Sequence, residues 1–195
     1  MASFDEAYKI TMGHEGGYSN LKIDRGGETF MGISRRFFPT WPGWRTIDRL
    51  GGDISNIQAD KDIKNLVMDF YKAEFWDRFV GDDIPDQDIA NELFDTAVNL
   101  GVHKAVKILQ YSINKLNRNG SLFTNLVEDG LYGPTTARCL DFIIRNHSDS
   151  SVLYKIMNVE QGHHYLQIMD KSEGQEIFAR GWFGRISFRK LRNQG

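Results

Sequence analysis

Apolar side chains recur at intervals of three and four along most of this chain, a spacing that commits it to amphipathic α-helices burying one face each. The clearest run is Ile63, Leu66, Val67, Phe70, Tyr71 and Phe75, which predicts a helix from about Ala59 to Trp76. Leu93, Ala97 and Leu100 predict another from about Asp88 to Leu100, stopped by Gly101, and Val102, Val106, Leu109, Ile113 and Leu116 predict the next. Leu153, Ile156, Met157, His164 and Ile168 predict a long helix from about Ser151 to Asp170, and a last one covers roughly Gln175 to Leu191. Between them, the turn Asp129-Gly130-Leu131-Tyr132-Gly133-Pro134-Thr135-Thr136 places a proline where a helix opens.

The amino-terminal part is less regular. Ser3 followed by Glu6 is a capping-box signature, and Phe4, Tyr8, Thr11 and Glu15 then share one helical stripe, predicting a first helix from Phe4 to about Glu15. Gly16 and Gly17 stop it. Tyr18 to Ser34 is too rich in glycine and polar residues for a helix and reads as a small β-hairpin with its turn at Asp24 to Gly27. Pro39, Pro42, Gly43, Gly51 and Gly52 predict a long irregular connection holding Trp41 and Trp44. The expected fold is therefore mainly α, with one small β-hairpin after the first helix.

At 195 residues the chain can bury a sizeable core. Its net charge of -2 supplies no global attraction for nucleic acid or another polyanion, so no nucleic-acid partner is expected. One basic patch exists: Arg180, Arg185, Arg189, Lys190 and Arg192 follow Glu176 without an acid, and Arg185, Arg189 and Arg192 would share a helical face, either solvated or touching an anionic polymer. Cys139 is the single cysteine, so no internal disulfide forms, and its apolar surroundings predict a buried thiol. No basic-then-apolar leader and no stretch of 18 apolar residues is visible. We therefore expect a monomer made in the cytoplasm, without stable membrane insertion.

Two carboxylates carry the chemistry. Glu15 sits on an apolar stripe at a helix end, where desolvation and the negative end of the helix dipole both disfavour its charged form. That is what a general acid needs. Asp24 follows nine positions later and Thr29 five after that, and a chain reversal at the paired glycines would bring acid, base and a water-orienting hydroxyl to one cleft. Such a set suits glycoside hydrolysis, in which an acid protonates the leaving oxygen and a second carboxylate or placed water works on the opposite face of the sugar. Tyr18, Trp41, Trp44 and Trp182 are candidate sugar-stacking platforms, or core packing. Asn99 could bond an N-acetyl group or cap its helix. Metal chemistry finds no support: the position four after His14 is Tyr18 instead of a second ligand, and the adjacent His163 and His164 point apart on a helix. No cofactor is implied.

The Glu, Asp, Thr spacing resembles that of phage-type lysozymes, with the Asp-to-Thr gap one residue shorter. The fuller string, Glu-Gly-Gly-Tyr-Ser-Asn, then Asp-Arg-Gly-Gly-Glu-Thr and Met-Gly-Ile-Ser, resembles glycoside hydrolase family 108. The likeness continues through Phe94-Asp95-Thr96-Ala97-Val98-Asn99-Leu100-Gly101, Leu109-Gln110, the Asp129 to Thr135 turn, and Gly181-Trp182 with Arg185. It implies a lysozyme-like catalytic region over 1–93 and a peptidoglycan-binding helical region over 94–195, packed as one body. It also implies an N-acetylmuramidase of the kind described as a secretion activator, acting on peptidoglycan glycan strands. Glu15, Asp24 and Thr29 would be its catalytic set, and Tyr18, Asn99 and Trp182 its substrate contacts. A lytic transglycosylase and a non-catalytic wall-binding protein are the alternatives. A substrate outside the membrane would require holin-type or other non-classical release to the periplasm or wall.

Overall fold

The computed structural model describes residues 1–13, 17–19, 28–51, 60–145 and 147–188. The fold is mainly helical with a small antiparallel sheet after the first helix, and the chain divides into two compact units, Met1–Ala7 with Phe75–Gly195, and Tyr8–Glu74.

Helix α1 spans Phe4–Met12 and contributes to both units. It buries Phe4, Ala7, Thr11 and Met12; of the expected stripe, Phe4 and Thr11 are buried, Tyr8 is half-buried and Glu15 lies outside the described residues. It ends at Met12, where Gly13 brings the high backbone entropy that frays a helix end. In the Tyr8–Glu74 unit, strands β1 (Tyr18–Ser19), β2 (Thr29–Phe30) and β3 (Ile33–Ser34) form an antiparallel meander, with Tyr18 opposite Phe30 and Phe30 opposite Ile33. The expected hairpin is thus joined by a third short strand. Met31 (φ 45°) and Gly32 (φ 79°) form the two-residue link from β2 to β3, both in the positive-φ region that matches strand twist.

The expected irregular connection contains helix α2, Gly43–Arg49. Pro42 stands at its N-cap, and Gly43 is required because a Cβ there would lie 2.1 Å from the Trp41 ring. Punctuation read as loop is therefore a helix start under an indole. Helix α3, Lys61–Tyr71, is capped by the Asp60 carboxylate, which accepts from the Asp62 and Ile63 amides at 2.9 and 3.1 Å. It ends at Tyr71, short of Trp76, and the chain winds on through a π turn (Lys72–Trp76) and a 3-10 turn (Asp77–Phe79).

The larger unit packs α4 (Gln87–Leu100), α5 (Val102–Lys115) and α7 (His147–Lys171) on one another, with α6 (Pro134–Arg145) against α5 and α7. Asp86 caps α4 by accepting from the Ile89 amide at 3.1 Å, and Gly101 at φ 85° joins it to α5. The core is anchored by Trp76, Phe79, Phe94 and Tyr165, all fully buried, with Phe4 edge-on to Phe94 at 5.7 Å. Removing such an aromatic costs about 3–5 kcal/mol in a close-packed interior.

Helix α8, Ala179–Arg185, ends earlier than the expected Gln175-to-Leu191 helix because Ile186 turns extended (φ −72°, ψ 122°). A 3-10 segment, Glu173–Phe178, precedes it. Arg189, Lys190 and Arg192, and with them the helical face they would share with Arg185, lie outside the described residues. Arg185 itself is neither solvated nor available to wall polymer: its guanidinium bonds Asp95 at 2.6 Å with 11% of the side chain exposed. Among the described residues no helix is long and apolar enough to cross a membrane.

Candidate active site

Thr29 and Tyr18 belong to one small sheet. Ser19 stands opposite Thr29 on β1, and Thr29 opposite Ser34 on β3, so Thr29 occupies the central strand. Adjacent residues of a strand point to opposite faces. Phe30 accordingly packs into the core at 1% exposure, stacked 6.2 Å from Trp41, and leaves Thr29 half-buried on the other face. Glu15 and Asp24 lie outside the described residues.

A chain of polar contacts ties this sheet to α2. The Tyr18 hydroxyl donates to Glu28 Oε1 at 3.0 Å, and Glu28 Oε2 meets Arg35 Nε at 2.9 Å. Arg35 Nη2 reaches Asp48 Oδ1 at 2.6 Å, while the guanidinium lies 4.6 Å from the centre of the Trp44 ring. The Arg35 amide also donates to the Glu28 carbonyl at 2.8 Å. A charged fork held by two carboxylates and an indole has few alternative rotamers, so Glu28 is fixed next to Thr29 and fixes the Tyr18 ring in turn. The sequence reading passed over Glu28, Arg35 and Asp48. Glu28 stood inside the motif string beside Thr29, but the partners of Arg35 are side chains from a different element.

Two of the candidate platforms are core. Trp41 and Trp44 are 6% and 4% exposed, their rings meet edge-on at 5.1 Å, and their indole N–H groups donate to the carbonyls of Leu66 and Phe38. Neither offers a face to a sugar.

Asn99 and Trp182 meet through Tyr165 in the larger unit. The Tyr165 hydroxyl donates to Asn99 Oδ1 at 3.2 Å, and its ring stacks on Trp182 with centroids 5.1 Å apart and planes 12° from parallel. This use of its oxygen leaves the half-buried Asn99 with an amide NH₂ that has no partner among the described residues, a donor suited to a carbonyl such as that of an N-acetyl group. Trp182 is half-buried, with Tyr165 covering one ring face.

Cys139 is buried, and desolvation pushes its thiol pKa up, the opposite of what a nucleophile needs. Among the described residues no group of three histidines, cysteines or carboxylates is placed to hold a metal ion.

The family described as "Glycosyl hydrolase 108" matches residues 8–101, and that described as "Predicted Peptidoglycan domain" matches residues 104–187. Residues 8–101 form a glycosyl hydrolase family 108 region, followed in order by the peptidoglycan domain. The family 108 match contains Glu15, Asp24 and the sheet that carries Tyr18 and Thr29, and the second match begins within α5. The chain is a glycoside hydrolase that acts on peptidoglycan. In fold it is similar to the structure titled "Structure of Brucella abortus SagA", with a TM-score of 0.57 and 22% identity over 94% of this chain and 88% of that one. No curated protein matches it in sequence.

Proposed function

We propose that this protein is an N-acetylmuramidase, hydrolysing the β-1,4 bond between N-acetylmuramic acid and N-acetylglucosamine, with Glu15 as general acid. Asp24 acts as base or as electrostatic partner of the developing oxocarbenium ion, and Thr29 helps to place the attacking water. Tyr18, Asn99 and Trp182 contact the glycan. The observation that carries the reading is the antiparallel pairing of Ser19 with Thr29, which sets Thr29 beside the strand that begins three residues after Glu15. Neighbouring strands lie about 4.8 Å apart, so Tyr18 and Ser19 lie close to Thr29, which supports a shared role for this stretch of the motif string. General acid catalysis contributes about 10²- to 10⁴-fold, and a protonated carboxyl at the leaving oxygen supplies it.

Residues 1–93 carry catalysis and 94–195 hold the wall in this reading. The protein works as a monomer that reaches the wall by holin-type or another non-classical release. Digestion of purified sacculi, followed by mass spectrometry of the released fragments, tests the proposal. Hydrolysis gives reducing-end muramic acid, and Glu15→Gln abolishes it while the protein stays folded. Full activity of that variant, or fragments lighter by one water that end in anhydro sugar, would overturn the reading.

A further inference from the structure

Away from the sheet, a pocket of about 220 Å³ opens in the larger unit, where the Val80–Pro85 turn faces the start of α6. Its walls are mostly apolar, formed by Val80, Pro85, Tyr132, Pro134, Ala137 and Leu140. Drug-sized ligands occupy about 300–1,000 Å³, so this space suits one side chain and not a glycan segment.

Both walls are held in place. On one side Gln110, only 2% exposed, accepts from the Gly130 amide at 2.9 Å and donates to Asp129 Oδ1 at 2.8 Å and to the Leu131 carbonyl at 3.1 Å. Gly130 has φ 73°, and a Cβ there would lie 2.6 Å from the His103 carbonyl, so this turn accepts no other residue without strain. On the other side the Trp76 indole donates to Asp82 at 2.9 Å, and its ring leaves no room for a Cβ on Gly81. Val80, next to it, is a β-branched residue at φ 50° and is 48% exposed at the pocket. Such a backbone costs about 1–3 kcal/mol, and it persists where the surroundings over-determine it, often at ligand clamps.

Charge selects the occupant. The pocket's charged lining is Asp83 and Asp141, with no cation among the lining residues. Asp141 is bonded to Arg145 at 2.6 Å, whereas the exposed Asp83 has no ion pair among the described residues. Tyr132 keeps its proton, its pKa pushed up to about 12 by burial and by the Asp83 carboxylate. Such a site repels the lactyl carboxylate of muramic acid and wall phosphate alike. It accepts an aliphatic chain ending in an ammonium. Peptidoglycan offers that group on stem peptides whose diamino acid is lysine, an aliphatic chain ending in an ammonium without a second carboxylate.

We propose that this pocket binds the peptidoglycan stem peptide, with the aliphatic diamino-acid side chain between Tyr132 and Leu140 and its ammonium on Asp83. The inference rests on the peptidoglycan reading above, but not on which residue cleaves the glycan.

The test uses the full chain and two soluble probes, a lysine-containing stem tetrapeptide and its Nε-acetyl derivative, followed by NMR titration. The free amine should shift resonances of Tyr132 and Ala137, and acetylation should weaken binding about fivefold, the scale of one solvent-screened ion pair. Asp83→Asn should give a loss of similar size without unfolding, and Ala137→Phe should fill the space and abolish binding. Equal affinity for the acetylated peptide, unchanged binding by Asp83→Asn, or shifts at these residues from peptide-free glycan instead of tetrapeptide would overturn the proposal. Because no bond is cleaved, running the same titration on Glu15→Gln separates the two readings. Peptide binding without any muramidase activity in the wild type sinks only the catalytic assignment, and muramidase activity without peptide binding sinks only the pocket.

Discussion

Arg185 and Asp95, 90 residues apart in sequence, meet at 2.6 Å with only 11% and 15% of their side chains exposed. Their bond fastens the end of α8 to the middle of α4. Gln161 of α7 adds a 3.4 Å contact to the same carboxylate, and the Ser187 amide donates to Asn158 Oδ1 at 2.8 Å just beyond. Removing one member of a desolvated pair strands the other, at a cost of about 3–5 kcal/mol, whereas replacing both by apolar groups can be close to neutral. Arg185→Ala should therefore lower stability by about 3 kcal/mol in urea unfolding, and Arg185→Met with Asp95→Leu should recover most of it. Equal losses in the single and double variants would show that the contact contributes by packing alone.

Glu92, one turn before Asp95 on α4, makes stability depend on pH. It is 5% exposed, and burial, followed by repulsion from the Asp95 carboxylate, pushes its pKa up to about 8, against the opposing bonds from Asn158 and Thr96. Between its ordinary value and about 8, the folded chain holds a proton that the unfolded chain has released. Stability from this group is therefore complete at acid pH and falls as pH rises, by up to about 1.4 kcal/mol per unit. Glu92→Gln carries no such proton. Urea midpoints measured near pH 5 and near pH 8 should drop more for the wild type than for the variant, and matching pH slopes would refute the assignment.

How far the sequence foretold these arrangements depended on whether the controlling contact was local. The bounds of α4 are written in Asp86, which caps its own first turn, and in Gly101, whose φ of 85° suits glycine. The helix at Gly43–Arg49 was hidden because Pro42 and Gly43 punctuate any turn, and the reason for the glycine is the Trp41 ring above it. Arg185 read as one of a row of surface cations because its partner belongs to a helix 90 residues away. For the candidate site, residue chemistry and spacing pointed to Tyr18 and Thr29, which share a sheet, but the Glu28, Arg35 and Asp48 contacts that brace them join separate elements. Glu15 and Asp24 were legible as chemistry and lie outside the described residues.

Thr29 gives the sharpest test of the proposed active site because its structural and chemical parts can be separated. Its backbone pairs on both sides within the sheet and its β-branched shape suits a strand, so valine, which keeps the shape and removes the hydroxyl, should leave the fold in place. A hydroxyl that positions water acts on the reacting state more than on the bound substrate. Thr29→Val should therefore lower kcat about 10- to 100-fold on solubilised glycan strands with little change in KM, and Thr29→Ser should restore most of the rate. A rise in KM at constant kcat would make Thr29 a glycan-binding residue instead. Unchanged kinetics with an unchanged melting temperature would remove it from the site, leaving water placement to another group on the same sheet.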